Sequence, residues 1–270
     1  IHIFKNQHII HNIQLTANYV KILKFTGGYI LKIYYIYHSC FAVETQSSIL
    51  IFDYFKNKKD LKEDFDFKEL LGNILKSHKP LYVFSSHNHH DHFSTEVLPW
   101  INEKENTCYI LSSDIKLYHK VKNIHTAKQD EEFTINNLKI NTFGSTDQGI
   151  SFLVNIDGTN IFHAGDLNWW KWPDDTPEEE KEMEDAFKSI IDKIICINTN
   201  IDIAFFPVDG RLEDNYVFGG QYFIEKLKPK IFIPMHFWED FKLTLNFKKS
   251  QEHTDTNVIE ISHNNQIILS

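Results

Sequence analysis

The sequence predicts an α/β protein in which helices cover β-sheet on more than one side. Runs rich in β-branched and aromatic residues recur along the chain, and three longer segments place apolar residues at helical spacing. These two kinds of segment alternate in the C-terminal half, as they do in layered α/β folds. With 42% apolar and 24% charged residues among 270, the chain has an ordinary globular composition and can bury a large core without disulfide bonds.

The predicted strands are short apolar runs bounded by polar or turn residues. Three early runs have the pattern of sequential hairpins, and Asp157-Gly158 gives a strong hairpin signal later in the chain. A closing hairpin is predicted around Asn264 and Asn265. The strands are predicted over residues 29–37, 40–45, 47–55, 81–86, 108–112, 133–135, 138–143, 150–156, 160–165, 201–208, 230–237, 257–261 and 266–270.

The helices are predicted from their end signals as well as from their spacing. One begins after Asp66 and stops at Pro80, and another stops at Pro229. The longest begins at Thr176, where an N-cap is followed by a proline at the first helical position and an acid at the third. Residues 1–28 follow neither a strand nor a helix period, so they are treated as an extension of uncertain structure, and residues 29–270 are predicted to form one domain.

Composition excludes several classes of partner. Lys and Arg number 28 against 37 Asp and Glu, a formal net charge of −9, and Arg211 is the single arginine, so a nucleic-acid partner is not expected. No apolar run approaches the roughly 18 residues of a membrane span, so no membrane partner is expected either. The three widely spaced cysteines form no C-x-x-C pair, which is typical of free thiols in a reducing compartment and predicts a cytoplasmic location.

The segment HNHHDH, residues 87–92, carries the strongest chemical signal. It places four of the fifteen histidines and one carboxylate directly after a buried strand. Because side chains two apart share a face in extended backbone, His87 and His89 can converge on one ion, while Asp91 and His92 face a second. Imidazole and carboxylate without thiolate suit Zn²⁺ and its first-row neighbours and leave room for a water ligand. The alternative is a solvated His-rich loop.

Two later strand ends offer further ligands. The segment FHAGD ends an apolar strand at Asp166, and PMH ends another at His236. Strand ends at one sheet edge are where such groups converge in α/β folds. Taken singly, Asp166 is an ordinary turn aspartate and His236 a core histidine, but together with HNHHDH they indicate a metal site.

The order of these motifs, HNHHDH after LYVFSS, then HAGD, then IPMHF, resembles the metallo-β-lactamase fold superfamily over residues 30–270. The early segments YHSCFAVET and ILIFDYF are similar to the branch that includes the ascorbate-6-phosphate lactonase and other Zn-dependent hydrolases. The resemblance implies a four-layer αββα sandwich with the site between the sheet edges. It also implies two divalent ions, with Zn²⁺ expected and Mn²⁺ as the alternative.

The resemblance also implies the ligand set. His87 and His89 would hold the first ion, Asp91, His92 and His236 the second, and Asp166 would bridge the two. The catalytic roles would fall on Asp91, Asp166 and His236, with Asp166 holding the ions together and His236 near the leaving group.

One departure from the family pattern affects the first ion. The middle histidine expected before Gly149 is absent, and Asp147 is the only good ligand in residues 143–149. Either Asp147 supplies an oxygen in its place, which favours harder ions such as Mn²⁺, or it caps the turn and the first ion is weakly held or missing.

Other residues are assigned supporting roles. Asp53 resembles the family aspartate that orients the metal loop, or is a simple strand-end turn. Arg211 reaches an anionic substrate or pairs with Glu213, the pairing being favoured. His90 and His163 are not expected to be ligands. The tryptophans that follow Asp166 and His236 wall the pocket mouth or pack loops; they are Trp169, Trp170, Trp172 and Trp238.

The function that follows is a metal-dependent hydrolase. Two ions about 3.5 to 4 Å apart can share a hydroxide that attacks a small ester, lactone or phosphoester. The alternative is a metal-binding or sensor protein of the same fold that has lost catalysis through the change at Asp147. The expected partner is a small-molecule substrate, and the sequence leaves the oligomeric state open.

Overall fold

The computed structural model describes residues 31–56 and 64–269, which contain two seven-stranded mixed sheets. The predicted extension of residues 1–28 lies outside the described residues. In chain order the strands are β1 (Lys32–Tyr37), β2 (Cys40–Glu44), β3 (Ile49–Phe52), β4 (Leu81–Ser85), β5 (Thr107–Ser112), β6 (Ile124–Ala127), β7 (Glu132–Ile135), β8 (Leu138–Phe143), β9 (Ser151–Ile156), β10 (Thr159–His163), β11 (Ile203–Pro207), β12 (Ile231–Met235), β13 (Asn257–Val258) and β14 (Gln266–Leu269).

The helices lie between these strands in the chain. They are α1 (Phe67–Lys76), α2 (Trp100–Glu103), α3 (Pro177–Cys196), α4 (Phe218–Leu227) and α5 (Phe241–Ser250), with 3₁₀ segments at Thr95–Val97 and Gly210–Val217. The predicted start of α3 is confirmed, because the Thr176 side chain accepts from Glu179 N and the Glu179 side chain bonds back to the Thr176 backbone. Among the described residues, no helix is both long and apolar enough to cross a membrane.

Each sheet combines antiparallel and parallel strands. The first has the order β14-β1-β2-β3-β4-β5-β6, and the second β13-β12-β11-β10-β9-β8-β7. Pairing is parallel from β3 to β6 in the first sheet and from β10 to β13 in the second. The parallel strands of each sheet therefore end at a common edge, where their following loops meet.

Two apolar cores separate the layers. The larger lies between the sheets and extends to helices on the second sheet, with Phe187 of α3, Phe223 of α4 and Phe247 of α5 fully buried. The smaller joins the outer face of the first sheet to α1 and α2 through Ile74 and Trp100. Along the first-sheet strands β3 and β4, alternate side chains enter different cores: Leu50 and Tyr82 the larger, Ile51 and Val83 the smaller. Two mixed sheets flanked by helices confirm the predicted α/β sandwich.

The predicted closing hairpin around Asn264 and Asn265 is wrong. β13 pairs in parallel with β12 in the second sheet, whereas β14 pairs antiparallel with β1 in the first. The chain crosses between sheets here, and Asn265, whose φ is +50°, donates its N–H to Ile36 O at 3.3 Å. The asparagines therefore mark a turn, but the strands on its two sides do not pair with each other.

Four elements were not predicted: β6, the four-residue helix α2, the 3₁₀ segment Gly210–Val217 and α5. The edge strand β6 is only four residues long. In α5 the apolar residues Phe241, Leu243, Leu245 and Phe247 alternate with period two, so the segment has no helical pattern. Its N-cap is the local signal, since the Asp240 side chain accepts from Leu243 N.

Candidate metal centre

The candidate site lies at the edge where the parallel strands of both sheets end. Each of five strand ends is followed, within three residues, by an imidazole or a carboxylate. In strand order, from β3, β4, β10, β11 and β12, these residues are Asp53, His87, Asp166, Asp209 and His236. Sheet topology thus brings together residues that are up to 183 positions apart in the sequence, from 53 to 236.

The first cluster consists of His87, His89 and Asp166. Their ligand atoms all lie within 4.8 Å of one another. His87 Nε2 is 2.9 Å from His89 Nδ1 and 3.2 Å from Asp166 Oδ2. His87 and Asp166 are buried and His89 is partly exposed, so this cluster opens toward solvent on one side.

The second cluster consists of His38, Asp91, His92 and His236, again within 4.8 Å of one another. Three of these residues were predicted as ligands of one ion. His38 was not, although it lies in the segment YHSC whose family resemblance was noted. Its Nε2 is 3.4 Å from Asp91 Oδ2.

Asp166 lies between the two clusters. Its Oδ2 faces His87 of the first cluster, while its Oδ1 is 3.1 Å from His92 Nε2 and 3.3 Å from His236 Nε2 of the second. One carboxylate therefore contributes an oxygen to each group, the arrangement expected of a bridging ligand.

The charges of the clusters are strongly coupled. Burial alone would raise the pKa of Asp166, but the His92 and His236 imidazoles hold that pKa well below its usual value. Burial would lower the pKa of His236, but Asp166 and Asp209 raise it to about 9. Without a cation, the protein thus compensates its buried carboxylates with protons on imidazoles.

Two buried carboxylates contact the Nδ1 atoms of His92 and His236. Asp53 Oδ2 lies 2.7 Å from His92 Nδ1, and the Asp53 carboxylate also accepts from Ser86 N and Ser86 Oγ, each at 2.7 Å. Asp209 Oδ2 lies 2.8 Å from His236 Nδ1. A carboxylate on one ring nitrogen fixes the tautomer and directs the other nitrogen toward the centre.

The donor atoms fit a divalent cation. Several buried atoms of the clusters have no hydrogen-bond partner among the described residues: both ring nitrogens of His38, His92 Nε2 and Asp166 Oδ1. His92 Nε2 and Asp166 Oδ1 are 3.1 Å apart, a separation that a single cation between them could span. A set of nitrogens and oxygens without sulfur suits Zn²⁺ or Mn²⁺.

Three of the twelve described non-glycine residues with positive φ lie at the centre. His38, Asp53 and His236 have φ values of +53°, +43° and +65°, in the left-handed region that favours glycine. Non-glycine residues are held in this region at a cost of about 1 to 3 kcal/mol each, and such strain is common at functional sites.

Gly149 permits the close approach of the segment that carries Ser86 and His87. Its φ is +76°, and a Cβ there would lie 2.0 Å from Ser86 O and 2.5 Å from His87 Cβ. We expect Gly149→Ala to lower the free energy of unfolding by at least about 2 kcal/mol and to displace His87. Gly158 is the matched control, since its φ is +74° but a Cβ added there would meet nothing within 4 Å. Equal losses in both variants, measured by urea denaturation, would contradict the steric account.

A cavity of about 370 Å³ opens over the clusters. His89, Asp91, Asp166 and His236 line its floor, and Asp147 lies in its wall. Asp147 is exposed, its N–H donates to Ser145 Oγ at 3.2 Å, and it belongs to neither cluster, so its role as a ligand stays a prediction. A larger cavity of about 430 Å³ lies at the opposite end of β12, beside Lys230, and its lining includes no cluster residue.

Of the residues predicted to contact substrate or wall the pocket, Arg211, Trp170 and Trp172 line the cavity, whereas Trp169 and Trp238 do not. Arg211 lines the cavity and pairs with Asp209 through Nη2–Oδ2 at 2.6 Å, not with Glu213 as expected. Trp170 and Trp172 stack at 5.8 Å in the cavity wall. Trp169 packs against Phe187, Phe218 and Tyr222, and Trp238 lies 4.0 Å from the His38 ring; neither is among the cavity residues.

His90 and His163, which were not expected to be ligands, lie outside both clusters. The His90 side chain is 82% exposed. His163 is fully buried, with Nε2 3.0 Å from Ser39 O and Nδ1 accepting from Gly165 N at 3.2 Å.

These features define an α/β sandwich protein whose sheet edges hold two adjoining groups of imidazoles and carboxylates that could bind metal ions. A family model described as a β-lactamase superfamily domain matches residues 32–180, which include all of the cluster residues except His236. The chain belongs to the β-lactamase superfamily.

Named relatives agree with this membership. A UPF0173 metal-dependent hydrolase of Nanoarchaeum equitans, NEQ378, is 23% identical over 252 residues, covering 88% of this chain and all of the relative. Igni18, described as a metallo hydrolase from Ignicoccus hospitalis, has a TM-score of 0.59 at 16% identity, covering 89% of this chain and 98% of that one. CmlA, a diiron β-hydroxylase from Streptomyces venezuelae, has a TM-score of 0.51 at 11% identity, covering 87% and 48%. At these identities the two structures are alike in fold alone.

Proposed function

We propose that the protein is a metal-dependent hydrolase acting on a small anionic ester, lactone or phosphoester. The observation that carries the proposal is Asp166, whose two oxygens face two separate clusters at the floor of an open cavity. The name of the Nanoarchaeum equitans relative supports hydrolysis as the reaction class.

The residues present would hold two divalent cations, with Zn²⁺ favoured by the imidazoles and Mn²⁺ by the carboxylate oxygens of Asp91 and Asp166. When bound, such ions lower the pKa of water toward neutrality and polarise the oxygen of a scissile bond. The chain itself orients its imidazoles through Asp53 and Asp209, which fix the Nδ1 atoms of His92 and His236.

The cavity supports a small substrate. Its volume of about 370 Å³ is near the lower end of the usual range for small-molecule sites. Trp170 and Trp172 provide a flat wall that excludes water, and the Arg211 guanidinium lies 5.6 Å from the Trp172 ring. No lysine and no other arginine is among the residues lining this cavity, so Arg211 would bind an anionic group of the substrate.

The test combines metal analysis with a substrate screen. Metal-loaded protein is assayed against lactones, phosphodiesters and carboxylic esters, each in anionic and neutral forms. We expect turnover that requires metal, and a loss of at least about a hundredfold in His89→Ala, because this change removes a ligand from the open cluster. His90→Ala is the control, since His90 is exposed and outside both clusters.

Retained activity in metal-free protein would contradict the proposal. A bound ion without hydrolysis of any probe would favour the alternative, a metal-binding or sensor protein of the same fold. One observation favours that alternative: Asp147 is exposed and outside the first cluster, which leaves that cluster with three ligand residues. An Asp147→Ala variant with unchanged metal content would show that this aspartate does not hold an ion.

A further inference from the structure

His38 is a buried histidine of the second cluster whose two ring nitrogens have no hydrogen-bond partner among the described residues. It occupies the turn between β1 and β2, and its side chain is fully buried. An unsatisfied buried polar atom costs about 1 to 3 kcal/mol, so a purely structural role would make this histidine an unfavourable choice.

His163 provides the internal comparison. It is equally buried, but its two ring nitrogens contact Ser39 O and Gly165 N at 3.0 and 3.2 Å. It is therefore a satisfied core histidine. His38 differs because neither of its nitrogens meets hydrogen-bond geometry, and its Nε2 faces the Asp91 carboxylate, another candidate ligand, at 3.4 Å.

The geometry around His38 is that of a ligand. Its Nε2 is 3.4 Å from Asp91 Oδ2, within the range of about 3.0 to 3.6 Å that separates neighbouring ligand atoms around an ion with bonds of about 2.1 Å. Its ring centroid is 4.2 Å from that of His236 and 5.8 Å from that of His92. The His38 imidazole thus lies close enough to Asp91, His92 and His236 for all four residues to reach one ion.

The ring is also held in place. Trp238 packs against it with centroids 4.0 Å apart, and the backbone is fixed by His38 N donating to Tyr35 Oη at 3.0 Å. His38 O in turn accepts from His236 N at 3.3 Å, which links the two loops that carry these imidazoles. The left-handed backbone at φ +53° is thereby maintained in a position that glycine or asparagine would occupy with less strain.

We propose that His38 is a further protein ligand of the ion held by Asp91, His92, His236 and the bridging Asp166, so that protein atoms alone fill this site. The ion at His87, His89 and Asp166 is then the one with an open coordination position for water and substrate. This division follows the general difference between closed structural sites and open catalytic ones. The inference rests on the proposed metal centre, and it assigns different roles to its two halves.

The test measures affinity, not turnover. Zinc-loaded and cobalt-loaded proteins are dialysed against graded chelator, and the metal content is measured by mass spectrometry. We expect wild type to lose one ion readily and to retain the other. In His38→Asn the retained ion should bind at least about tenfold more weakly, and the visible spectrum of the retained Co²⁺ should change. Asparagine is chosen because it tolerates the left-handed backbone.

His119→Asn is the matched control, since His119 is exposed and lies outside both clusters, and it should keep both affinities. X-ray absorption on wild type carrying only the retained ion gives a second measurement that needs no variant. We expect three imidazoles around that ion, from His38, His92 and His236. Two imidazoles, or unchanged affinity and Co²⁺ spectrum in His38→Asn, would overturn the inference while leaving the hydrolase proposal intact. A wild-type chain that binds no metal would contradict both.

Discussion

Asp166→Asn is expected to remove both ions and to lower turnover about a thousandfold, which corresponds to about 4 kcal/mol of lost transition-state stabilisation. The reason is that Asp166 Oδ2 faces the first cluster while Oδ1 faces His92 and His236 of the second. Asparagine preserves the shape but supplies no negative charge and only one oxygen. Metal content and turnover of the purified variant are the measurements.

The comparison variant is His89→Ala, which alters only the first cluster. It should lower occupancy of one ion and leave the other bound. If Asp166→Asn lost a single ion with the same affinity change as His89→Ala, Asp166 would belong to one cluster and would not be a bridge.

Asp53→Ala is expected to lower the free energy of unfolding of the metal-free protein by about 3 to 5 kcal/mol, because it breaks a buried pair. Asp53 is fully buried and contacts His92 Nδ1, Ser86 N and Ser86 Oγ. Its removal leaves three buried polar atoms without this acceptor. The affinity of the ion held by His92 should also fall about 10- to 100-fold, because the ring loses its orientation.

Urea denaturation of the apo protein and a chelator competition assay measure these two effects. Asp185→Ala is the control, since Asp185 is an exposed acid on α3 that pairs with Lys181 and should contribute less than about 1 kcal/mol. If Asp53→Ala matched this control in both assays, Asp53 would be a simple turn residue.

Local pattern was sufficient for the fold class and for most of the centre. The density of residues 87–92 after a buried strand is a signal within one segment, and Asp166 and His236 follow short apolar runs that read as strands. Their convergence could be predicted because parallel strand ends share a sheet edge. The Thr176 cap of α3 was equally local.

What sequence reasoning missed depends on contacts between distant segments. A lone histidine such as His38, next to an apolar strand, looks like a core residue until the loop after β12 is placed beside it. The pairing of Arg211 with Asp209 depends on side-chain direction in a 3₁₀ turn, which no spacing rule gives. The separation of β13 from β14 likewise depends on sheet membership.

Anomalous diffraction from crystals of the zinc-loaded wild-type protein tests the two-cluster centre most directly. We expect two peaks on opposite sides of the Asp166 carboxylate, one beside His87 and His89 and the other beside Asp91, His92 and His236. Zinc bound only elsewhere on the chain, with no peak within bonding distance of either Asp166 oxygen, would contradict the two-cluster centre.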